Sequence, residues 1–104
     1  MLVNKKYATG SVVSMKLVNG DEFVAKLIDE TPTEYKVEQP MTIIPAQSGI
    51  RLIPSMFTVE PGQVFEIDKS HIMMHNAAAD QVADHYRELT TGIKTVRNES
   101  KIII

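Results

Sequence analysis

Between Ser11 and Asp29 apolar and polar residues alternate across a central Asn19-Gly20 pair, and no other stretch restricts the fold as strongly. In SVVSMKL, Val13, Met15 and Leu17 fall on one face and Ser14 and Lys16 on the other, the period-two pattern of a half-buried strand. Asn-Gly between two such segments is the strongest short-range hairpin signal, because both residues accept the positive φ of a type I′ turn. The alternation resumes with Phe23, Ala25 and Leu27 inward and Lys26 outward. Val24 and Ile28 make the second face partly apolar, so that face is expected to meet another element.

Glu30-Thr31-Pro32-Thr33 is a polar break, since proline lacks a donor and turns its predecessor away from helix. A third strand is expected from Tyr35 to about Ile44, bent or bulged at Pro40, followed by a loop from Pro45 to Gly49. The run from Ile50 to Phe57 is apolar on both faces, so burial on both sides is expected. After the turn signal Val59-Glu60-Pro61-Gly62, Val64 to Ile67 and His71 to Met74 read as short strands separated by Asp68, Lys69 and Ser70. The period then changes. With Asn76 as N-cap, Ala79, Val82, Ala83, Tyr86 and Leu89 recur at helical spacing, and Gly92 closes the helix. Residues 93–104 carry no clear period and end in Ile102, Ile103 and Ile104, a sticky run expected to pack on a neighbour or fray.

A chain of 104 residues with 43% apolar and 23% charged side chains is one compact domain, with a core thin enough that assembly with other copies would help it. With no cysteine, disulfides, thiolate metal sites and cysteine nucleophiles are excluded, which fits a reducing cytoplasm. The net charge of -2 is far from that of a protein coating nucleic acid electrostatically, so any such site must be local. No stretch approaches the roughly 20 apolar residues that span a bilayer, and MLVNKKY lacks a signal peptide's apolar run. A cytoplasmic protein without a membrane partner is therefore expected.

Catalytic raw material is scarce. His71 and His75 would chelate a metal one turn apart on a helix, but on a strand their Cα atoms stand about 13 Å apart, so neither metal nor cofactor is expected. His75 with Asn76 is read as capping the incoming helix, and His85 as a solvated residue. No serine sits in a G-x-S-x-G turn and no glycine-rich loop precedes a helix. Asp21-Glu22 and Asp29-Glu30 are read as solvated acids at hairpin ends. The expected protein is not an enzyme. Lys16, Lys26 and Lys36 are interleaved with acids, leaving Lys69 as the best single candidate for a basic site, since one lysine per subunit becomes a circle of positive charge in a ring.

The succession of a strand, an Asn-Gly turn, a long second strand, two further long strands and a short final one resembles the Sm-like (LSm) family. VSMKLVNGDEFVAKL resembles the first half of the first Sm motif, with Leu17, Gly20 and Leu27 at its apolar, glycine and leucine positions and Ala25 where the family favours glycine. EIDKSHIMM is similar to the second motif, with Ile67 and Ile72 as its apolar positions. From about residue 11 to 93 the wording, including IPSMF and HYRELTTGI, is more specifically similar to short Sm-like proteins of cyanophages and related tailed phages.

The resemblance implies a mainly β fold, a five-stranded bent antiparallel sheet forming an SH3-like barrel with a C-terminal α-helix. Residues 1–104 then form a single Sm-like domain, with the barrel over about 11–75, the helix over about 77–91 and a tail over 93–104. It also implies a homo-oligomeric ring of about five to seven subunits, closure depending on the angle between neighbours. The fourth strand of one subunit would pair with the fifth of the next, through Arg51, Ile53, Ser55 and Phe57 on one side and Ile72 and Met74 on the other. The family binds RNA with an aspartate and asparagine after the second strand and an Arg-Gly pair before the fifth. Here Thr31 and Tyr35 occupy the first pair of positions and Asp68 and Lys69 the second. The implied function is binding of RNA or single-stranded nucleic acid by a site of altered design, with Thr31 beside a base-stacking Tyr35 and Lys69, Ser70 and His71 contacting phosphate or base edges. The competing expectation is a structural or adaptor ring that binds protein partners, of phage origin and acting in the host-cell cytoplasm.

Overall fold

The computed structural model describes residues 6–60 and 62–91. Among these residues six strands and one α-helix follow in order: β1 Val12–Leu17, β2 Glu22–Glu30, β3 Glu34–Ala46, β4 Gly49–Pro54, β5 Val64–Asp68, β6 Ile72–Ala77 and α1 Asp80–Thr91. The strands form one antiparallel sheet of order β4-β3-β2-β1-β6, with β5 on β3. β3 is long enough to carry β4 against residues 41–46 and β5 against residues 34–38, so these two strands lie end to end along one of its edges. The sheet is open and has six strands rather than the expected five, because the chain leaves β3 at Pro54 and rejoins it at Val64.

Local chemistry accounts for the breaks. In the first hairpin only Gly20 takes positive φ, at 98°, so the turn is not type I′. Gly20 N–H donates to Leu17 O (2.9 Å) and Leu17 N–H to Asp21 O (2.8 Å), a three-residue loop with glycine in the left-handed position. At Pro40 the expected bend is present: the β2–β3 ladder shifts register between Val24 and Lys26, and Gln39 adopts φ 50°. Two further register shifts, between Leu27 and Asp29 in β2 and beside Lys16/Leu17 where β1 meets β6, move later side chains to the opposite face.

Two apolar clusters cover the two faces of the sheet. The inner one gathers Val13, Met15, Phe23, Ala25, Leu27, Tyr35 and Val37 with Tyr7. The outer one holds Val12, Val24 and Leu52 under Ala83 and Tyr86 of α1, so the helix is what the second face of β2 meets. Three further expectations need correction. Asn76 is no helix cap: it lies in β6 opposite Ser14, its side chain accepts from Ala77 N–H (2.9 Å), and the helix starts at Asp80. His75 likewise belongs to β6 and not to a cap. The run from Ile50 to Phe57 is not buried on both faces of the single chain. β4 is an edge strand, and beyond it Met56 and Phe57 are 49% and 76% exposed. Gly92 and the tail over 93–104 lie outside the described residues.

Candidate functional site

The strand order brings the β2–β3 loop, residues 31–33, against the 3₁₀ turn Lys69–His71 that joins β5 to β6. Lys69 N–H donates to Thr33 O at 2.9 Å and ties the two together. Thr31 shapes the first loop. Its Oγ1 accepts from Glu34 N–H (2.9 Å) and Thr33 N–H (3.3 Å), a side-chain turn of the kind that Ser and Thr favour. Asp68 shapes the second: its carboxylate accepts from Ser70 N–H (2.9 Å), and that hydrogen bond holds the carboxyl below its usual range.

Beneath the junction lies a chain of polar side chains built into the inner core. Lys69 Nζ sits 2.7 Å from Glu30 Oε2 and 5.0 Å from the centroid of the Tyr35 ring. The Glu30 side chain is 8% exposed, and its Oε1 has no partner within hydrogen-bond distance among the described residues, so the Lys69 ammonium, with the neighbouring Tyr35 hydroxyl, offsets this carboxylate's desolvation. Tyr35 in turn stands edge-on to His75, with its hydroxyl 3.5 Å from Nε2, while Tyr7 closes on the other ring nitrogen, Nδ1, at 2.7 Å. The Tyr7 contact is a full hydrogen bond and the Tyr35 contact a marginal one. If Tyr7 donates to Nδ1, the ring proton sits on Nε2 facing the Tyr35 oxygen. Burial and, after it, the negative charge of Glu30 raise the pKa of both tyrosines, so both hydroxyls keep their protons.

Of the residues singled out in the sequence, Thr31, Tyr35 and Lys69 converge here, with Ser70 and His71 exposed on the rim. Tyr35 does not offer a stacking face: it is 5% exposed and its ring is covered by the Lys69 ammonium. Lys69 is engaged by Glu30 and does not project freely. Glu30, expected from the sequence as a solvated acid at a hairpin end, is buried instead, His75 faces inward from β6 rather than capping a helix, and Tyr7 carried no signal in the pattern. Strict alternation from Leu27 puts Asp29 inward, but the extra residue in β2 turns Glu30 in instead. In β6 the same phase error makes Ile72 and Met74 share a face. With Leu17 opposite Ile72 and Lys16 opposite Met74, Met73 is the extra residue, so His75 points to the core while Met74 is 60% exposed. Among the other expected interface residues, Arg51 and Phe57 are exposed, Ile53 is half-buried, and exposed Ser55 lies 2.9 Å from Thr42 Oγ1 through its own hydroxyl.

No family model and no curated protein matches the chain.

Proposed function

We propose that this chain is a non-enzymatic Sm-like protein of tailed-phage type, that its bent sheet completes an SH3-like barrel, and that its copies form a ring of about five to seven subunits. The ring binds RNA or single-stranded nucleic acid at the rim of the junction just described and acts in the cytoplasm of the host cell. The observation that carries the reading is the junction itself: the loop after the second strand and the turn before the last, far apart in sequence, are joined by the Lys69 N–H to Thr33 O bond. The two sheet edges support assembly. One is made by β4 and β5 and the other by β6, so pairing them is head-to-tail and closes into a ring if the rotation permits.

A second reading, an adaptor ring for protein partners, is favoured by the neutralisation of Lys69 by Glu30 and by the apolar side chains Met56, Phe57, Met73 and Met74 left exposed at the edges. Native mass spectrometry of the full chain, with and without a pool of short RNAs, separates the two. The nucleic-acid reading expects a defined oligomer that retains RNA at low salt, releases it as salt rises, and loses it on His71→Ala with Ser70→Ala. An oligomer that ignores RNA transfers the proposal to the adaptor reading. Ile53→Lys on β4 is expected to give smaller species, and an unchanged mass would remove that edge from the assembly.

A further inference from the structure

Away from the junction, an apolar groove runs between the bend of β3, the segment after β4 and the end of α1. It consists of two adjoining hollows of about 370 and 240 Å³ that share Pro40, Met56 and Phe65 in their walls. Phe57 and Leu89 deepen one hollow and Phe23 the other, and Met56, Phe57 and Leu89 are 49%, 76% and 42% exposed. Among the described residues the ionisable ones on its walls are acidic: Glu60 on one hollow, Asp21 and Glu66 on the other, with Lys36 Nζ 3.9 Å from Glu66 so that Glu60 and Asp21 carry the net charge of the rim. An exposed apolar floor with an acidic rim fits an apolar segment flanked by basic residues.

The chain carries such a segment, and it starts at the groove. Leu89 and Thr90 of α1 line the first hollow, next to Thr91, the last of the described residues. Beyond it, residues 92–104 contain Ile93, Val96 and Ile102 to Ile104 together with Lys94, Arg97 and Lys101, against one acid, Glu99. The eleven residues after Thr91, up to Ile102, reach at most about 40 Å, so geometry does not bar a return to the groove. A tether this short holds the isoleucines at an effective concentration on the order of millimolar, enough to populate even a weak contact.

We propose that the Lys101–Ile104 segment docks in this groove of its own chain, with the isoleucines over Met56 and Phe65 and the basic residues along the acidic rim. The inference does not depend on the nucleic-acid reading. The absence of cysteine makes the test clean: Ser100→Cys in the full chain carries a single nitroxide label, and methyl-labelled methionine supplies probes that remain visible in a large assembly. Met41 and Met56 line the groove, whereas Met73 and Met74 on β6 do not and serve as internal references, read in assemblies where the doubly labelled chain is diluted into unlabelled copies so that no neighbour's nitroxide reaches β6. The expected result is a more than twofold loss of the Met41 and Met56 methyl signals, with Met73 and Met74 little changed. The loss should disappear when Ile102, Ile103 and Ile104 are all changed to Asp, or with exposed Met56→Asp, read then at Met41. Even attenuation of all four methyls, or a loss that survives the triple substitution, overturns the proposal. So does a loss seen when label and methyls are on different chains, which would assign the groove to a second copy.

Discussion

Removing one oxygen, in Tyr86→Phe, tests how the sheet tolerates its bend. The bulge at Gln39-Pro40 breaks the β2–β3 ladder and leaves backbone groups without their usual partners. The Tyr86 hydroxyl, reaching in from α1, accepts from Lys26 N–H (3.1 Å) and shares its proton between Glu38 O (2.9 Å) and Gln39 O (3.0 Å). The residue is 1% exposed, so water does not replace the lost group. A buried donor left unpaired costs about 1–3 kcal/mol, and we take about 2 kcal/mol as the expected loss. For a domain of this size that lowers Tm by roughly 10 °C. Alkaline pH gives a second, independent readout. Burial pushes the Tyr86 hydroxyl from 10.0 up to about 12. Between these values the unfolded chain sheds this proton and the native chain keeps it, so the contribution is full below pH 10 and is lost as pH rises towards 12. That loss is about 2–3 kcal/mol in the wild type and absent from the variant, so the gap between them should close with rising pH. Urea unfolding followed by far-ultraviolet circular dichroism at pH 9 and pH 12, at one protein concentration, measures both. Equal stability at pH 9, or a gap that stays constant to pH 12, would refute the assignment of the hydroxyl to the bulge.

Lys69→Met leaves the Glu30 carboxylate buried and unpaired and is expected to cost about 2 kcal/mol, reduced from a fully buried pair because Lys69 is 27% exposed. Adding Glu30→Gln should restore at least half of that in urea midpoints, and a double variant no better than the single one would deny the pair its role. Gln39 holds φ 50° in a region that suits glycine, so Gln39→Gly should raise stability by about 0.5 kcal/mol relative to Gln39→Ala, which loses the same long side-chain bond to Thr90 O (3.4 Å) but keeps a Cβ. A urea midpoint below that of Gln39→Ala would show that the backbone there is not strained.

Much of the fold was legible where one residue type has one physical use. The Asn19-Gly20 turn, the strands around it and the break at Pro40 follow from glycine's access to positive φ and proline's missing donor. The α1 stripe was legible through Ala83 and Tyr86, both buried on the outer face. What local pattern could not reveal were the register shifts, since an extra residue in a strand leaves no mark in composition and reverses every later face. That one kind of event hid Glu30 and His75 and put Met74 on the wrong side. Asn76 misled for a different reason: Asn favours a cap in isolation, but pairing with Ser14 extended β6 by two residues past His75.

The polar chain under the junction changes how any ligand must bind there. Had Lys69 projected freely, a phosphate would gain its charge at no expense to the fold. With Glu30 8% exposed and held by Lys69 at 2.7 Å, withdrawing the ammonium strips a buried carboxylate of its counter-ion, at the same cost of about 2 kcal/mol. One surface ion pair with a phosphate returns about 1 kcal/mol or less. A nucleic acid is therefore expected to use the exposed Ser70 and His71 above the pair and to leave Lys69 in place, and the salt dependence of binding should count few released counterions per subunit. Loss of RNA affinity on Lys69→Ala alone would then report loosening of the junction through Glu30, Tyr35 and Thr33, which distinguishes it from loss on His71→Ala at unchanged stability.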